Sequence, residues 1–194
     1  MANPLVLQPK QTALVLIDLQ KGILGRETAP HSASDVLARS VRLAERFRAT
    51  GGLVVLVHVS FSPDGGDRLT QPTDEPPPPA AAQPGWDEIS PALGPDPADV
   101  VITKRQWGAF YGTQLELQLR RRGITTIAIA GIATNFGVES TARDAYERGF
   151  ALVFVEDAMA GLSAEAHSFA ISTIFPRIGR VRSTEEILRA FSRS

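Results

Sequence analysis

The stretch ITTIAIAGIATNFGVESTARDAYER, residues 124–148, contains the pattern that decides the fold. Its first seven residues, ITTIAIA (124–130), form a short apolar run rich in isoleucine, which is typical of a buried parallel strand. The segment GIATNFG (131–137) follows as a loop. Residues 138–148 are amphipathic and end before Gly149, where a helix is expected to stop. The stretch therefore predicts a strand, a connecting loop and a helix in succession.

The same alternation of strand and helix patterns runs through the whole chain. Apolar runs that predict strands occupy residues 12–17, 53–59, 99–104, 124–130, 150–156 and 178–183. Helical patterns lie at about 34–50, 113–122, 138–148, 163–174 and 184–191, and Gly51, Gly123 and Gly149 follow three of them. This alternation predicts an α/β fold, a doubly wound sheet with right-handed crossovers. At 194 residues the chain fits one domain, 1–194.

A proline-rich insertion at about 62–98 interrupts the alternation between the second and third strands. It includes PPPPAAAQPG (76–85), and Trp86 and Ile89 are its candidate anchors. Connections of this length are usually functional or disordered. Two interpretations are open: the insertion covers the ligand pocket or a neighbouring subunit, or it is a surface loop without a role.

Composition excludes several classes of partner and cofactor. The net charge of -1 gives no electrostatic footprint for nucleic acid or an anionic membrane. No apolar run reaches the roughly 20 residues that span a bilayer, and the N-terminal segment lacks a signal-peptide pattern, so a cytoplasmic protein is expected. His31, His58 and His167 show no metal-ligand spacing. We expect no metal and no cofactor, and a small molecule as the binding partner.

Three segments together resemble the isochorismatase-like hydrolases, a branch of the cysteine hydrolase superfamily. They are LVLIDLQ around Asp18, TKRQWGAFYGTQL around Lys104, and GIATNFGVESTARDAYERGF at 131–150. The resemblance covers nearly the whole chain. It implies a three-layer α/β/α sandwich with six parallel strands in the order 3-2-1-4-5-6, and a homo-oligomer of two or more subunits. It also implies a cis peptide bond between Ile132 and Ala133.

This strand order predicts where a ligand binds. In open α/β sheets the ligand lies beyond the carboxyl ends of the strands, where the strand order reverses, which here is between the first and fourth strands. Asp18 and the loop 131–137 flank that crevice. Lys104 ends the third strand, two strand spacings or about 9.6 Å from the first. We therefore expect Asp18, Lys104 and this loop to converge.

Gly137 occupies the position at which most members of the resembled family carry a nucleophilic cysteine. The chain contains no cysteine, so a thiolate mechanism is excluded. True isochorismatases, which cleave a vinyl ether to release pyruvate, also have glycine there and use the aspartate as a general acid. The resemblance thus implies that Asp18 is the general acid or base and Lys104 its charged partner. Ala133 and Thr134 look like the cysteine hydrolases instead, so isochorismate itself is not the expected substrate.

Seven further positions are predicted to bind substrate. They are Gln20, Trp107, Phe110, Ile132, Ala133, Thr134 and Gly137. An alternative for the aromatic residues is a place in the core or in a subunit interface, with Trp86, Phe110 and Tyr111 as anchors. Thr134 and Ser140 carry hydroxyl groups, but the sequence shows no histidine relay that would make either a nucleophile.

Three functions compete at this point. The first is a small-molecule hydrolase that uses Asp18 and Lys104 without a covalent intermediate. The second is a catalytically silent binding or scaffold protein of the same fold. The third, a nucleotide-binding module, requires a G-x-G-x-x-G segment after the first strand, and DLQKGILG does not supply one.

Overall fold

The computed structural model describes residues 5–75 and 84–191. It contains a six-stranded sheet whose neighbouring strands are all parallel, in the order β3-β2-β1-β4-β5-β6. The strands are β1 (Thr12–Ile17), β2 (Leu53–Val59), β3 (Val100–Lys104), β4 (Thr126–Ile132), β5 (Ala151–Ala160) and β6 (Arg180–Arg182). The predicted fold class and strand order are confirmed.

Helices cover both faces of the sheet. They are α1 (Lys21–Leu24), α2 (Ala33–Thr50), α3 (Leu115–Arg121), α4 (Glu139–Glu147), α5 (Ala164–Phe169), α6 (Phe175–Ile178) and α7 (Thr184–Ala190). One apolar core joins the sheet to α3, α4 and α6, and a second joins its other face to α2 and α7. In the described part of the chain no helix is long and apolar enough to cross a membrane.

Element boundaries differ from the sequence-based prediction in three places. β5 runs four residues beyond the predicted end at 156, and its pairing with β4 shifts register between Ile129 and Gly131. The predicted helix at 163–174 is divided by a π-helical turn, Ala170–Ile174, between α5 and α6. The predicted strand at 178–183 shortens to the three residues of β6. β5 extends because Met159 and Ala160 pair with Gly131 and Ile132 of β4.

Gly131 lets β1 and β4 approach each other closely at the carboxyl edge of the sheet. Its φ of 124° lies in the region that favours glycine, and a Cβ atom there would lie 2.1 Å from the carbonyl oxygen of Ile17. The close approach places the loop after β4 directly beside the residue that follows β1, which is Asp18.

Candidate active site

Asp18 is the first residue after β1, and its backbone turns sharply there. Its φ is 54°, and it is the one described residue other than glycine with a positive φ. Its amide donates a hydrogen bond to the carbonyl oxygen of Val57 at 2.9 Å, which ties the turn to β2. The residue is 6% exposed, so its carboxyl group lies inside the protein at the edge of the sheet.

Lys104 ends β3 and reaches across β2 to Asp18. Its ammonium group donates hydrogen bonds to Oδ2 of Asp18 at 2.8 Å and to the carbonyl oxygen of Gln106 at 3.1 Å. Lys104 is 2% exposed, so the ion pair is shielded from solvent. The predicted convergence of these two residues is confirmed.

Burial and the charge of Lys104 act in opposite directions on the pKa of Asp18. Burial raises the pKa of Asp18 above its ordinary value, and this effect outweighs the attraction and hydrogen bond of Lys104 and a smaller attraction from His58. Oδ1 of Asp18 is buried and has no hydrogen-bond partner among residues 5–75 and 84–191. One oxygen of Asp18 is therefore held by Lys104, and the other is left for a further partner.

The loop after β4 forms the opposite wall. The peptide bond between Ile132 and Ala133 is cis, as the resemblance implied. A π-helical turn, Thr134–Val138, follows and leads into α4. A Cβ atom at Gly137 would lie 3.2 Å from Oδ2 of Asp18, so a side chain at this position would face the carboxyl group. The loop 131–137 therefore converges on Asp18 as expected.

The aromatic residues after β3 separate into two environments. Trp107 is 61% exposed, packs edge-on against Phe136 with ring centroids 4.9 Å apart, and places its carbonyl oxygen 3.4 Å from a Cβ at Gly137. Phe110 is buried and packs against Phe150, and the guanidinium of Arg148 lies over its ring. Trp107 therefore borders the crevice, whereas Phe110 contributes to the core. A substrate contact for Phe110 stays a prediction without support from its surroundings.

Gln20 is fully buried, and its amide is used by the backbone. Its Oε1 accepts a hydrogen bond from the amide of Val59 at 2.8 Å, and its Nε2 donates to the carbonyl oxygens of Val59 and Trp86 at 3.0 and 3.4 Å. These contacts give Gln20 a structural role. The predicted contact with substrate stays untested.

The insertion contributes a strap, residues 84–90, that crosses the start of α1. Backbone hydrogen bonds join Glu88 to Lys21 and Trp86 to Gly22. Trp86 also stacks on Phe61, with ring centroids 6.0 Å apart. Trp86 therefore anchors the insertion close to the candidate site. Residues 76–83, which include most of the proline run, lie outside the described residues.

Thr134 has a histidine partner that the sequence did not reveal. Its Oγ1 lies 2.8 Å from Nδ1 of His167 on α5, and both residues are buried. The sequence shows no histidine relay for Thr134, and the structure places one histidine beside it. The two residues are 33 positions apart on separate elements, so no local pattern links them. Ile132, also predicted to bind substrate, is buried in the core on the α2 side of the sheet.

A metal centre finds no support in the described part of the chain. Across residues 5–75 and 84–191, no group of three or more histidine, aspartate and glutamate side chains is placed to hold a metal ion. His58 is engaged elsewhere, since its Nδ1 donates to the carbonyl oxygen of Asp87 and its Nε2 lies 2.8 Å from Oγ1 of Thr103.

Comparison with known proteins identifies the family and supports the fold. Residues 12–186 match the family described as Isochorismatase domain. The chain is 55% identical to the uncharacterized isochorismatase family protein YecD of Escherichia coli O157:H7, over 96% of this chain and 99% of that protein. It is 31% identical to the ureidoacrylate amidohydrolase RutB of Methylobacterium radiotolerans, over 99% of this chain and 85% of that protein. The solved structure of an isochorismatase family protein from Burkholderia thailandensis superimposes with a TM-score of 0.93 at 49% identity, covering 97% of this chain and 98% of that one. The chain therefore belongs to the isochorismatase family.

Proposed function

We propose that this protein is a small-molecule hydrolase in which Asp18 acts as a general acid, without a covalent intermediate. The observation that carries the proposal is the environment of the Asp18 carboxyl group, that is, its burial and its hydrogen-bond partners. Lys104 holds its Oδ2 at 2.8 Å, its Oδ1 has no partner in the described part of the chain, and burial raises its pKa. A carboxyl group whose pKa is raised by burial is what general acid catalysis requires.

The absence of a thiol directs the choice of chemistry. The chain contains no cysteine, and Gly137 leaves space where a side chain would face Oδ2 of Asp18. Hydrolysis of a vinyl ether needs no nucleophilic side chain, because protonation of the substrate makes it reactive toward water. We therefore propose vinyl ethers, or related small substrates that are activated by protonation, as the substrate class.

The proposed reaction consumes one water molecule and regenerates the acid. Asp18 donates its proton to the terminal carbon of the vinyl group, whose π electrons form the new C–H bond and leave an oxocarbenium ion. Water adds to the cationic carbon and returns one proton to the Asp18 carboxylate. The hemiketal then separates into an alcohol and a carbonyl compound. Lys104 keeps its proton throughout and stabilises the carboxylate that exists between the two transfers.

Substrate binding in this proposal falls mainly to Trp107 and the backbone around Gly137. The exposed ring of Trp107 borders the crevice next to Phe136, so it offers an apolar surface for an unsaturated or cyclic substrate. The relative named ureidoacrylate amidohydrolase adds a second substrate class, ureido and carbamoyl amides. These amides belong in the same assay panel.

A panel assay tests the proposal. Purified protein is incubated with vinyl ethers, including isochorismate, and with ureido and carbamoyl amides. Asp18→Asn should lower the turnover of any accepted compound about 10²-fold to 10⁴-fold. The exposed Asp96 provides a matched control, since it precedes the start of β3 whereas Lys104 ends that strand, so Asp96→Asn removes the same charge at the opposite edge of the sheet and should leave the rate unchanged.

Two outcomes would reject the proposal, the first its mechanism and the second its hydrolase activity. Full activity in Asp18→Asn would show that Asp18 is not the acid. Binding of panel compounds by calorimetry, with no turnover of any of them, would favour the silent binding protein. The deep burial of the ion pair is the observation that favours this alternative.

A further inference from the structure

A buried pair of polar side chains, Thr134 and His167, has no part in the proposed chemistry. Oγ1 of Thr134 lies 2.8 Å from Nδ1 of His167, and the two residues are 0% and 4% exposed. Leaving a buried polar group without a partner destabilises the folded protein. Each residue therefore depends on the other for its hydrogen bond.

The pair lies at the start of the turn that faces Asp18. Thr134 is the first residue of the π-helical turn Thr134–Val138, and Gly137 lies three residues further along the same turn. His167 belongs to α5, the helix that follows β5 in the sequence. The hydrogen bond therefore fixes the first residue of the turn to a separate helix.

His31 extends the contact to a third loop. Its ring lies edge-on to that of His167, with centroids 6.1 Å apart. The loop that carries His31 is tied to the end of β5, because Ala29 and Gly161 exchange two backbone hydrogen bonds of 2.9 and 2.8 Å. Three loops at the carboxyl edge of the sheet therefore meet around the imidazole of His167.

The surroundings of His167 disfavour its cation. Burial, and to a smaller extent His31, lower the pKa of His167 below its ordinary value of 6.5. The titratable side chain of His31 faces the imidazole ring of His167. Glu165, which lies on α5 with His167, lines a surface pocket together with Asn135. A neutral imidazole has one donor and one acceptor nitrogen, so it can accept a hydrogen bond from the Thr134 hydroxyl. The imidazolium ion has two donors and would force that hydroxyl to turn round.

We propose that Thr134 and His167 are positioning residues: the neutral imidazole fixes the Thr134 hydroxyl, which holds the turn against Asp18, and protonation of His167 weakens this arrangement. Neither residue touches the reacting atoms. The effect on catalysis rests on the proposed function, but the effect on the environment of Asp18 does not. A misplacement of about 1 Å can lower a rate by as much as about 10²-fold.

Matched substitutions separate the hydroxyl from the shape of the side chain. Thr134→Val keeps the shape and removes the hydroxyl, whereas Thr134→Ser keeps the hydroxyl. The carboxyl carbon of Asp18 is followed by NMR in aspartate-labelled protein and assigned with Asp18→Asn. We expect Thr134→Val to change the chemical shift and titration of Asp18, and Thr134→Ser to resemble the wild type. Equal spectra for the two variants would overturn the proposal, whether or not any substrate is found.

The histidine signals give a second readout. The chain has three histidines, so His167 can be assigned from the single variants His31→Gln and His58→Gln. We expect His167 to titrate below 6.5 and to change its tautomer or titration in Thr134→Val. A His167 signal that titrates like that of an exposed histidine and does not change in Thr134→Val would contradict the proposed hydrogen bond between Thr134 and His167. If Thr134→Val does not fold, His167→Asn breaks the same contact. The chemical shift of the Asp18 carboxyl carbon should then change in His167→Asn, and an unchanged shift would overturn the proposal.

With a substrate in hand, the rate provides the third readout. Thr134→Val should lower kcat about 10-fold to 100-fold, and Thr134→Ser should restore it. In the wild type the rate should fall at acid pH as His167 becomes protonated, and His167→Asn should lack this loss. A loss in Thr134→Ser that Thr134→Val does not share would overturn the proposal and point to the methyl packing of Thr134 instead. If Asp18→Asn also had no effect, the proposed function would fail while the NMR result for the pair would stand.

Discussion

Replacing Lys104 with methionine should make the stability of this protein depend on pH in a defined direction. Methionine retains the apolar stem and removes the ammonium group that lies 2.8 Å from Oδ2 of Asp18. A carboxylate left unpaired inside a protein costs about 3 to 5 kcal/mol. A protonated Asp18 avoids most of this cost, so the loss at acid pH should fall to the roughly 1 to 3 kcal/mol of an unmade hydrogen bond.

The direction in which the stability of Lys104→Met changes with pH follows from the pKa of Asp18. Burial already raises this pKa above 3.8, and losing Lys104 removes the two largest contributions that lower it. The folded variant therefore keeps a proton that the unfolded chain releases above 3.8. The free energy of unfolding should fall as pH rises, by up to about 1.4 kcal/mol per pH unit, until Asp18 ionises in the folded state as well.

Urea unfolding between about pH 4 and pH 8 measures this dependence. Lys10→Met, at an exposed lysine, is the matched control and should follow the wild type at every pH. The double variant Asp18→Asn/Lys104→Met has no buried carboxyl group and should lose the dependence. A Lys104→Met penalty that does not change with pH, or one that grows toward acid pH, would refute the argument from burial.

Three further predictions concern glycine, glutamine and an exposed aromatic residue. Gly131→Ala should prevent folding or lower the free energy of unfolding by more than about 4 kcal/mol, because the added Cβ would meet backbone atoms. Gly149→Ala has open space around it and should lower the free energy of unfolding by only about 1 to 2 kcal/mol, the cost of a left-handed backbone. Equal melting temperatures for the two variants would contradict this prediction. Gln20→Leu should lower the free energy of unfolding, measured in urea, by about 2 to 5 kcal/mol, because it leaves buried backbone groups unpaired. Unchanged stability would contradict the structural role of Gln20 and favour substrate binding instead. The protein should self-associate through the exposed Tyr111, so sedimentation velocity should detect a species larger than 20.9 kDa that Tyr111→Ser dissociates; a 20.9 kDa species alone at micromolar concentration would contradict it.

The sequence predicted those parts of the site that depend on strand order. Asp18 follows the first strand pattern and Lys104 ends the third, so the strand order implied by the resemblance was enough to bring them together. The positions of Asp18 and Lys104 depend on where a strand ends, which apolar runs mark well. The cis peptide between Ile132 and Ala133 has no such local signal and was implied by the resemblance alone.

Contacts between helices and loops were beyond the reach of local patterns. Thr134 and His167 meet because α5 packs beside the turn after β4, and no spacing in the chain encodes that approach. Phe110 and Trp107 lie three residues apart in one aromatic segment, yet one is buried in the core and the other faces solvent. Which side of an irregular segment turns inward is decided by packing, so the sequence left both interpretations open.

The left-handed backbone at Asp18 also limits which residues the protein accommodates there. At a φ of 54° most side chains crowd the neighbouring carbonyl group, whereas aspartate, asparagine and glycine are tolerated. Two independent demands, one from the turn and one from the chemistry, thus select the same amino acid. Asparagine at position 18 meets the first demand and not the second. Alanine or glutamate would disturb the turn as well, so neither would report on the acid alone.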